Sequence, residues 1–325
     1  MELPRELFPA TGEESVLVEE ELASFSPERD TIVTVGIFDG VHLGHKHLIS
    51  ELLKQAEQRG LLSCVVTFRQ HPEDLLSSET KLPYLTDIKT RIRLLQNEGV
   101  DVIVPLSFTK DLARLDARRF VGLLLKHLSM RGLVIGSDFA LGKGRKGDTD
   151  TLSQLGEEMD FSITVVPPLE INGEVVSSTT IRKAMASGDM KKVRELTGRY
   201  FSLHGKVVTG AGRGESMGFP TANLDINSGQ ALPPDGVYAG LAHINGEIYQ
   251  TMTNIGQDPT FGPSERTVEA FLLDYHGDLY GHELRVDFIA KLRDEKKFDS
   301  VDELKKQIAE DVRQGKAILE STGVN

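Results

Sequence analysis

TIVTVGIFDGVHLGHKHLISELLKQAEQRG, residues 31–60, decides the fold of the first half of this chain. TIVTVGIF (31–38) is a β-branched run that reads as a buried strand. GHKHLISELLKQAEQRG (44–60) sets Leu48, Leu52 and Ala56 on one helical face and stops at Gly60. The pattern repeats outward. LLSCVVTF (61–68), DVIVPLSF (101–108), LVIGSDF (133–139) and FSITVVPP (161–168) read as strands, with helices at 86–99 and 116–132 between them. This β-α-β-α rhythm predicts an α/β domain, a parallel sheet with helices on both faces.

The turn between that first strand and helix holds His42-Leu43-Gly44-His45. Two imidazoles three residues apart at a helix opening, with a glycine that lets a ligand approach the backbone, suit chemistry on phosphate. Helix-tip N–H groups and ring N–H donors there stabilise charge growing on a transferring phosphoryl group. The bland alternative is that the histidines merely cap or pack the helix. Further on, VSSTTIR (176–182) places Ser178 and Thr179 in the first turn of a short helix and Arg182 one turn along, an arrangement of donors for a polyphosphate. Alone it is only an N-cap pattern.

After about residue 200 the rhythm changes to short alternating strands separated by Asn-Gly, His-Gly-Asp and Gly/Pro clusters. Closely spaced antiparallel strands predict a barrel or sandwich. An amphipathic helix over 301–319 closes the chain, with Leu304, Ile308, Val312 and Ile318 expected on its apolar side. The segment from Gly210 to Asn223, with Gly212, Gly214 and Gly218 inside it, is a glycine-rich turn whose amides can approach phosphate. No Gly-Lys-Ser/Thr follows, so it is not a Walker loop. Thr221 and Asn223 are two apart and face the same way on an extended segment, as hard oxygen donors suited to Mg²⁺ with nucleotide phosphates. Glu269, in an otherwise apolar strand, is either a buried structural carboxylate or a base for a hydroxyl.

Composition narrows the class. The chain has 325 residues, 39% hydrophobic and 26% charged, ample for a sizeable core and favouring two domains. Its single cysteine, Cys64, cannot form an internal disulfide, and no signal peptide or apolar run of membrane length is present, so a cytoplasmic location and no membrane partner are expected. Net charge is -12 and the isoelectric point about 5.3, against a nucleic-acid binder. Residues 1–30 hold nine acids and two arginines, so -7 of the -12 lies in this acidic leader. The leader is read first as a solvated tail; Leu17, Val18 and Leu22 also allow it to be the first turn and edge of the domain.

Taken together, GIFDGVHLGHKHLI, VTFRQHP (66–72), GSDFALGKGRKGD (136–148) and VSSTTIR resemble the adenylyltransferase module of the bacterial bifunctional riboflavin kinase/FAD synthetase family. GRGESMGFPTANL, PDGVYAG (234–240), NIGQDPTFG (254–262), VEAFLLDY (268–275) and DLYGHELRVDFIAKLRDEKKF (278–298) resemble its riboflavin kinase domain. The resemblance implies a Rossmann-like nucleotidyltransferase domain over 31–197 and a small antiparallel β-barrel with a C-terminal helix over 198–325. It also implies two ATP-dependent steps, riboflavin to FMN and FMN to FAD with release of pyrophosphate. On it, His42, His45, Gly44, Ser178, Thr179 and Arg182 handle ATP phosphates, Gly36, Phe38 and Asp39 belong to the nucleotide pocket, Thr221 and Asn223 hold Mg²⁺-ATP, and Glu269 is the general base for the ribityl 5′-hydroxyl. The chain departs from the family's usual residues at Ala140 and Thr180, where a basic residue is common, and at Phe271, where histidine is common; these bear on flavin or nucleotide affinity. Two other readings stay open: a riboflavin kinase fused to a nucleotidyltransferase with another acceptor, or a catalytically weakened flavin-binding protein.

Overall fold

The computed structural model describes residues 18–71, 82–210, 218–257 and 266–323. It divides into two compact units between Val176 and Ser177.

In the first unit, the described residues run α1 (Val18–Ala23), β1 (Thr31–Val35), α2 (Leu43–Arg59), β2 (Leu62–Phe68), α3 (Ile88–Asn97), β3 (Val102–Leu106), α4 (Lys110–Arg114), α5 (Ala117–Leu128), β4 (Met130–Gly136), α6 (Thr149–Met159), β5 (Ser162–Val166) and the small hairpin of β6 (Glu170–Ile171) and β7 (Glu174–Val175). Strands β1 to β5 form a parallel sheet in the order β3-β2-β1-β4-β5, so the chain reverses direction across the sheet between β1 and β4. Alternate residues of β1 feed two cores. Ile32 packs with Ile49, Leu52 and Ala56 of α2 and Leu95 of α3, while Val33 and Val35 pack with Phe120, Val121 and Leu124 of α5. Both faces of the sheet are therefore covered, as expected for parallel strands. Ligands of such sheets lie outside the carboxyl ends of the strands at the reversal point, and the Gly36–His42 turn leaves β1 there.

Expectations change in this unit: β1 stops at Val35 short of Phe38, and β4 runs Met130–Gly136 in place of 133–139. The helix expected over 116–132 ends at Leu128, because Ser129 turns left-handed (φ 48°) and Met130 enters β4, where it is buried. In the leader, residues 1–17 lie outside the described residues, but Val18–Ala23 is a helix with Leu22 fully buried, not a solvated tail. Its Glu21 accepts hydrogen bonds from the N–H and the hydroxyl of Ser107, both 2.7 Å, and lies 4.0 Å from Arg69 Nε. Burial pulls the Arg69 guanidinium down from its usual range, and Glu21 opposes that. The acidic stretch is thus held to the domain by carboxylates that have partners, Glu21 at Ser107 and Glu19 at Lys126 and His127, together with the buried Val18 and Leu22. Cys64 is buried on β2, and burial pushes its thiol well above the ordinary range, so it is no nucleophile.

The second unit begins with α7 (Ser178–Ala186) and α8 (Met190–Thr197), followed by β8 (Phe201–Val208), β9 (Ala222–Asp225), β10 (Gly236–Ile244), β11 (Glu247–Gln257), β12 (Arg266–Leu272), β13 (Glu283–Arg293) and α9 (Val301–Ser321). The boundary expected at 197/198 follows the change in strand pattern. The compact units divide earlier because α7 packs on α8, and α8 on β8 and β13. The six described strands close into an antiparallel barrel, ordered β10-β11-β12-β9-β8-β13.

Helix α9 covers part of the barrel's outer surface, where Ala239, Leu241, Met252, Ile289 and Leu319 form a cluster. Its buried residues are Asp311, Gly315 and Leu319, spaced four apart, and the expected Leu304, Ile308, Val312 and Ile318 are only half-buried. Asp311 is buried because Arg293 binds it in a fork, Nε to Oδ1 at 2.9 Å and Nη2 to Oδ2 at 2.8 Å. Gly315 lets the Met252 thioether lie directly against the helix, where a Cβ would push it aside. Neither residue type reads as apolar, so the stripe was invisible to periodicity.

Candidate functional sites

The turn after β1 is built against the grain of its residues. Phe38 (φ 52°) and Val41 (φ 34°) are left-handed although neither is glycine, and Gly40 (φ 83°) lies between them. Phe38 folds back over Gly36, where a Cβ would come within 2.9 Å of its ring. The turn delivers His42 as the N-cap of α2, and its Nδ1 accepts the His45 N–H at 3.2 Å. That bond places the proton of a neutral His42 ring on Nε2, making Nε2–H the donor. The two imidazoles stack at 3.6 Å with planes 17° apart, and the Phe38 ring lies 5.1 Å from His45. Gly44 sits under this stack; a Cβ there would come within 2.7 Å of Val176 O and 3.1 Å of the His42 ring. Capping and donor chemistry thus coexist in one residue. The arrangement offers ring N–H groups at the positive end of a 17-residue helix, a stabilising field for transferring phosphoryl charge.

Phe38 and Asp39 lie beneath the turn, each 2% exposed. Asp39 accepts the N–H groups of Leu85 (3.0 Å) and Thr86 (3.1 Å), and Thr86 Oγ1 in turn accepts the Gly40 N–H (3.1 Å). Arg91, 1% exposed, stands 3.9 Å from Asp39 Oδ1. The sequence reading missed Thr86 and Arg91. They lie in a stretch that reads only as a helix start, and nothing in a sequence marks a charge as buried.

Ser178, Thr179 and Arg182 are on α7, in the second unit. Ser177 is the N-cap, accepting the Thr180 N–H at 3.2 Å, with the Thr180 hydroxyl 3.0 Å from its own. Ser178 and Thr179 follow in the first turn, with Arg182 half-buried one turn along.

The barrel assembles its site by strand register. Glu269 on β12 pairs with Asn223 on β9 on one side and with Asn254 on β11 on the other. Cross-strand partners share a face, so these three half-buried side chains form a row. Thr221, just before β9, directs its hydroxyl at Glu269 Oε2, 3.4 Å away. Val268 and Ala270, either side of Glu269 in sequence, are buried, so the carboxylate lies on the opposite face from them. Gly210 approaches so closely that a Cβ would overlap the Asn223 amide. Gly218 is left-handed (φ 86°), while Gly212 and Gly214 lie outside the described residues. Phe271, two residues beyond Glu269, meets Phe219 edge-on at 5.5 Å, giving the row an aromatic border. Asn254 was not singled out from sequence; its place opposite Glu269 exists only once β11 and β12 pair. Thr221, Asn223 and Glu269 supply hydroxyl, amide and carboxylate oxygens, the hard donors that suit Mg²⁺ sharing its shell with water and phosphate. Among the described residues no group of three or more His, Cys, Asp or Glu is placed to hold a metal by itself.

Comparison with known proteins matches residues 24–180 to the FAD synthetase family and residues 197–319 to the riboflavin kinase family. The bifunctional riboflavin kinase/FMN adenylyltransferase of Bacillus subtilis is 33% identical over 301 residues, covering 91% of this chain and 92% of its own. That of Escherichia coli K12 is 36% identical over 290 residues, covering 89% and 92%. A solved structure described as a macrolide-efflux protein from Streptococcus pneumoniae superposes over 91% of this chain and 96% of its own, with a TM-score of 0.83 at 31% identity. Among the described residues of this chain, no helix is long and apolar enough to cross a membrane.

Proposed function

This chain belongs to the bifunctional riboflavin kinase/FMN adenylyltransferase family, and from that premise we propose which of its residues carry each step. The enzyme phosphorylates riboflavin to FMN with ATP, then transfers AMP from a second ATP to FMN, giving FAD and pyrophosphate.

In the kinase step, Glu269 takes the proton of the ribityl 5′-hydroxyl as that oxygen attacks the γ-phosphorus of ATP. The observation that carries this assignment is the carboxylate's place beside the Thr221 hydroxyl and across from Asn223, between the buried Val268 and Ala270. Thr221 and Asn223 would hold Mg²⁺, which neutralises phosphate charge when bound. The resemblance gives Gly210, Gly212, Gly214 and Gly218 to the ATP phosphates, Gly212 and Gly214 lying outside the described residues.

In the adenylyl step the FMN phosphate is already an anionic nucleophile, so no base is needed. His42 and His45 act by positioning and by hydrogen bonding to the α-phosphate as pyrophosphate departs. The room expected at Gly44 for a ligand is taken by Val176 O and the His42 ring, so this glycine serves to seat the helix tip and its histidines. Gly36, Phe38 and Asp39 shape the turn, and the resemblance gives Ser178, Thr179 and Arg182 to the polyphosphate. The net charge of -12 and the lone buried cysteine support a cytoplasmic enzyme with no nucleic-acid partner.

The test is a crossed assay on the full chain. Glu269→Gln is expected to lose FMN formation from riboflavin yet make FAD from supplied FMN, and His42→Ala or His45→Ala to do the reverse. FAD synthesis at the native rate in both histidine variants refutes the adenylyl assignment.

A further inference from the structure

We infer that Thr86 and Arg91 are positioning residues for adenylyl transfer: they clamp the strained turn that aims His42 and His45. This rests on the reading of that turn as the adenylylation site.

The turn cannot hold its shape by its own chemistry. Phe38 and the β-branched Val41 occupy left-handed backbone that such residues avoid, and conformations of this kind persist only where the surroundings over-determine them. Within the turn itself, the Val41 N–H donates to Phe38 O at 3.0 Å. Further hydrogen bonds reach in from elsewhere in the unit. From β2, Val66 O accepts the Gly36 N–H (3.0 Å) and the Thr67 hydroxyl donates to Ile37 O (2.9 Å). Just before α3, Thr86 acts three times: its N–H donates to Asp39, its hydroxyl donates to Asp39 Oδ1 at 3.4 Å, and its hydroxyl oxygen accepts from Gly40. These bonds close a ring across the tightest part of the turn, immediately before Val41 and His42. Arg91, one turn into α3, donates from Nη1 to Phe68 O at 2.8 Å while its Nη2 faces Asp39 at 3.9 Å. It ties the end of β2 to the turn and sets a cation against the Asp39 carboxylate, in a place almost closed to solvent.

Displacing Gly40 moves the N-cap and with it the ring nitrogen that meets the phosphate. A misplacement of ~1 Å in a reacting group costs ~100-fold in rate even when the altered residue is remote.

The test uses the full-length enzyme, with riboflavin kinase activity and a melting curve measured on each preparation. Thr86→Val keeps the shape and removes the acceptor. We expect its kcat for FAD formation from FMN to fall ~10–100-fold, with KM for ATP within ~3-fold and kinase activity native. Thr86→Ser, which keeps the hydroxyl, should recover kcat to within ~3-fold. A purely structural Thr86 would lower the melting temperature and leave kcat, measured well below it, untouched. Native kcat in Thr86→Val, or equal losses in the Val and Ser variants, overturns the inference. Should Thr86→Val not fold, Arg91→Lys keeps the charge without the two-pronged reach and is expected to lower kcat ~10-fold; native kcat there overturns it as well. His42→Ala, assayed alongside, separates the two readings. If it retains FAD synthesis, the site assignment fails. If it loses FAD synthesis while Thr86→Val and Arg91→Lys keep native kcat, the clamp alone is refuted.

Discussion

At the helix tip the candidate side chains His42 and His45 follow a turn that leaves its strand with Phe38 and Val41 at positive φ, whereas in the barrel Thr221, Asn223 and Glu269 stand on or beside paired strands. The helix-tip site therefore depends on partners far along the chain: Asp39 is held by Leu85 and Thr86, and Gly40 by the Thr86 hydroxyl. The barrel site depends on register, since Asn223, Glu269 and Asn254 align because β9, β12 and β11 pair as they do. Register is distributed over a whole ladder of backbone bonds, and a single side chain does little to shift it. The strained turn is held by a handful of bonds from particular residues, so the loss of one removes a larger share of what holds it. Changes under the turn should reach catalysis, while changes around the barrel row should act where they touch the row.

The largest expected effect is at the carboxylate proposed as the base. Glu269→Gln should slow FMN formation by ~10²–10⁴-fold, the usual worth of a positioned general base, and leave adenylylation of added FMN as it was. Loss of both activities would show that the two sites are less separable than their construction implies. His42→Ala comes next, with FAD formation expected to fall ~10²–10³-fold, the scale of one preorganised donor, and kinase turnover unchanged. Mass spectrometry of the flavin products reads both.

Two glycines then sharpen the contrast. Gly44→Ala drives a Cβ toward the Val176 carbonyl, a backbone atom that cannot swing away, so the first unit should lose about 1–3 kcal/mol in thermal or urea melts as well as FAD synthesis. Gly210→Ala presses instead on the side-chain amide of Asn223. Its cost in stability should stay below about 1 kcal/mol, with the effect appearing as a raised KM for ATP in the kinase reaction alone. An equal loss of stability in both variants would erase the distinction between a site held by buried contacts and one held by register.

The sequence by itself determined the classes of structure and offered the candidate site residues. Strand-to-helix alternation marked the α/β unit, and short strands after residue 200 marked the antiparallel one. His42, His45, Thr221, Asn223 and Glu269 were legible because their residue types and spacings are unusual where they stand. Local signals also placed most helix starts, as at Asp87, which caps α3 by accepting the Thr90 N–H. What only the tertiary structure decided was burial and partnership. Glu21 at Ser107, Glu19 at Lys126 and the buried Leu22 turned an acidic leader into a docked helix. Asp311 and Gly315 replaced the expected apolar stripe of α9 because Arg293 and Met252 face them. Asn254 joined Glu269 through pairing across the β11–β12 hairpin, and Thr86 and Arg91 reached the Asp39-Gly40 turn from roughly 50 positions away along the chain. Periodicity reports which face of an element is apolar; it carries no record of which polar group on another element will meet it. Those meetings hold the turn at His42 and align the row at Glu269.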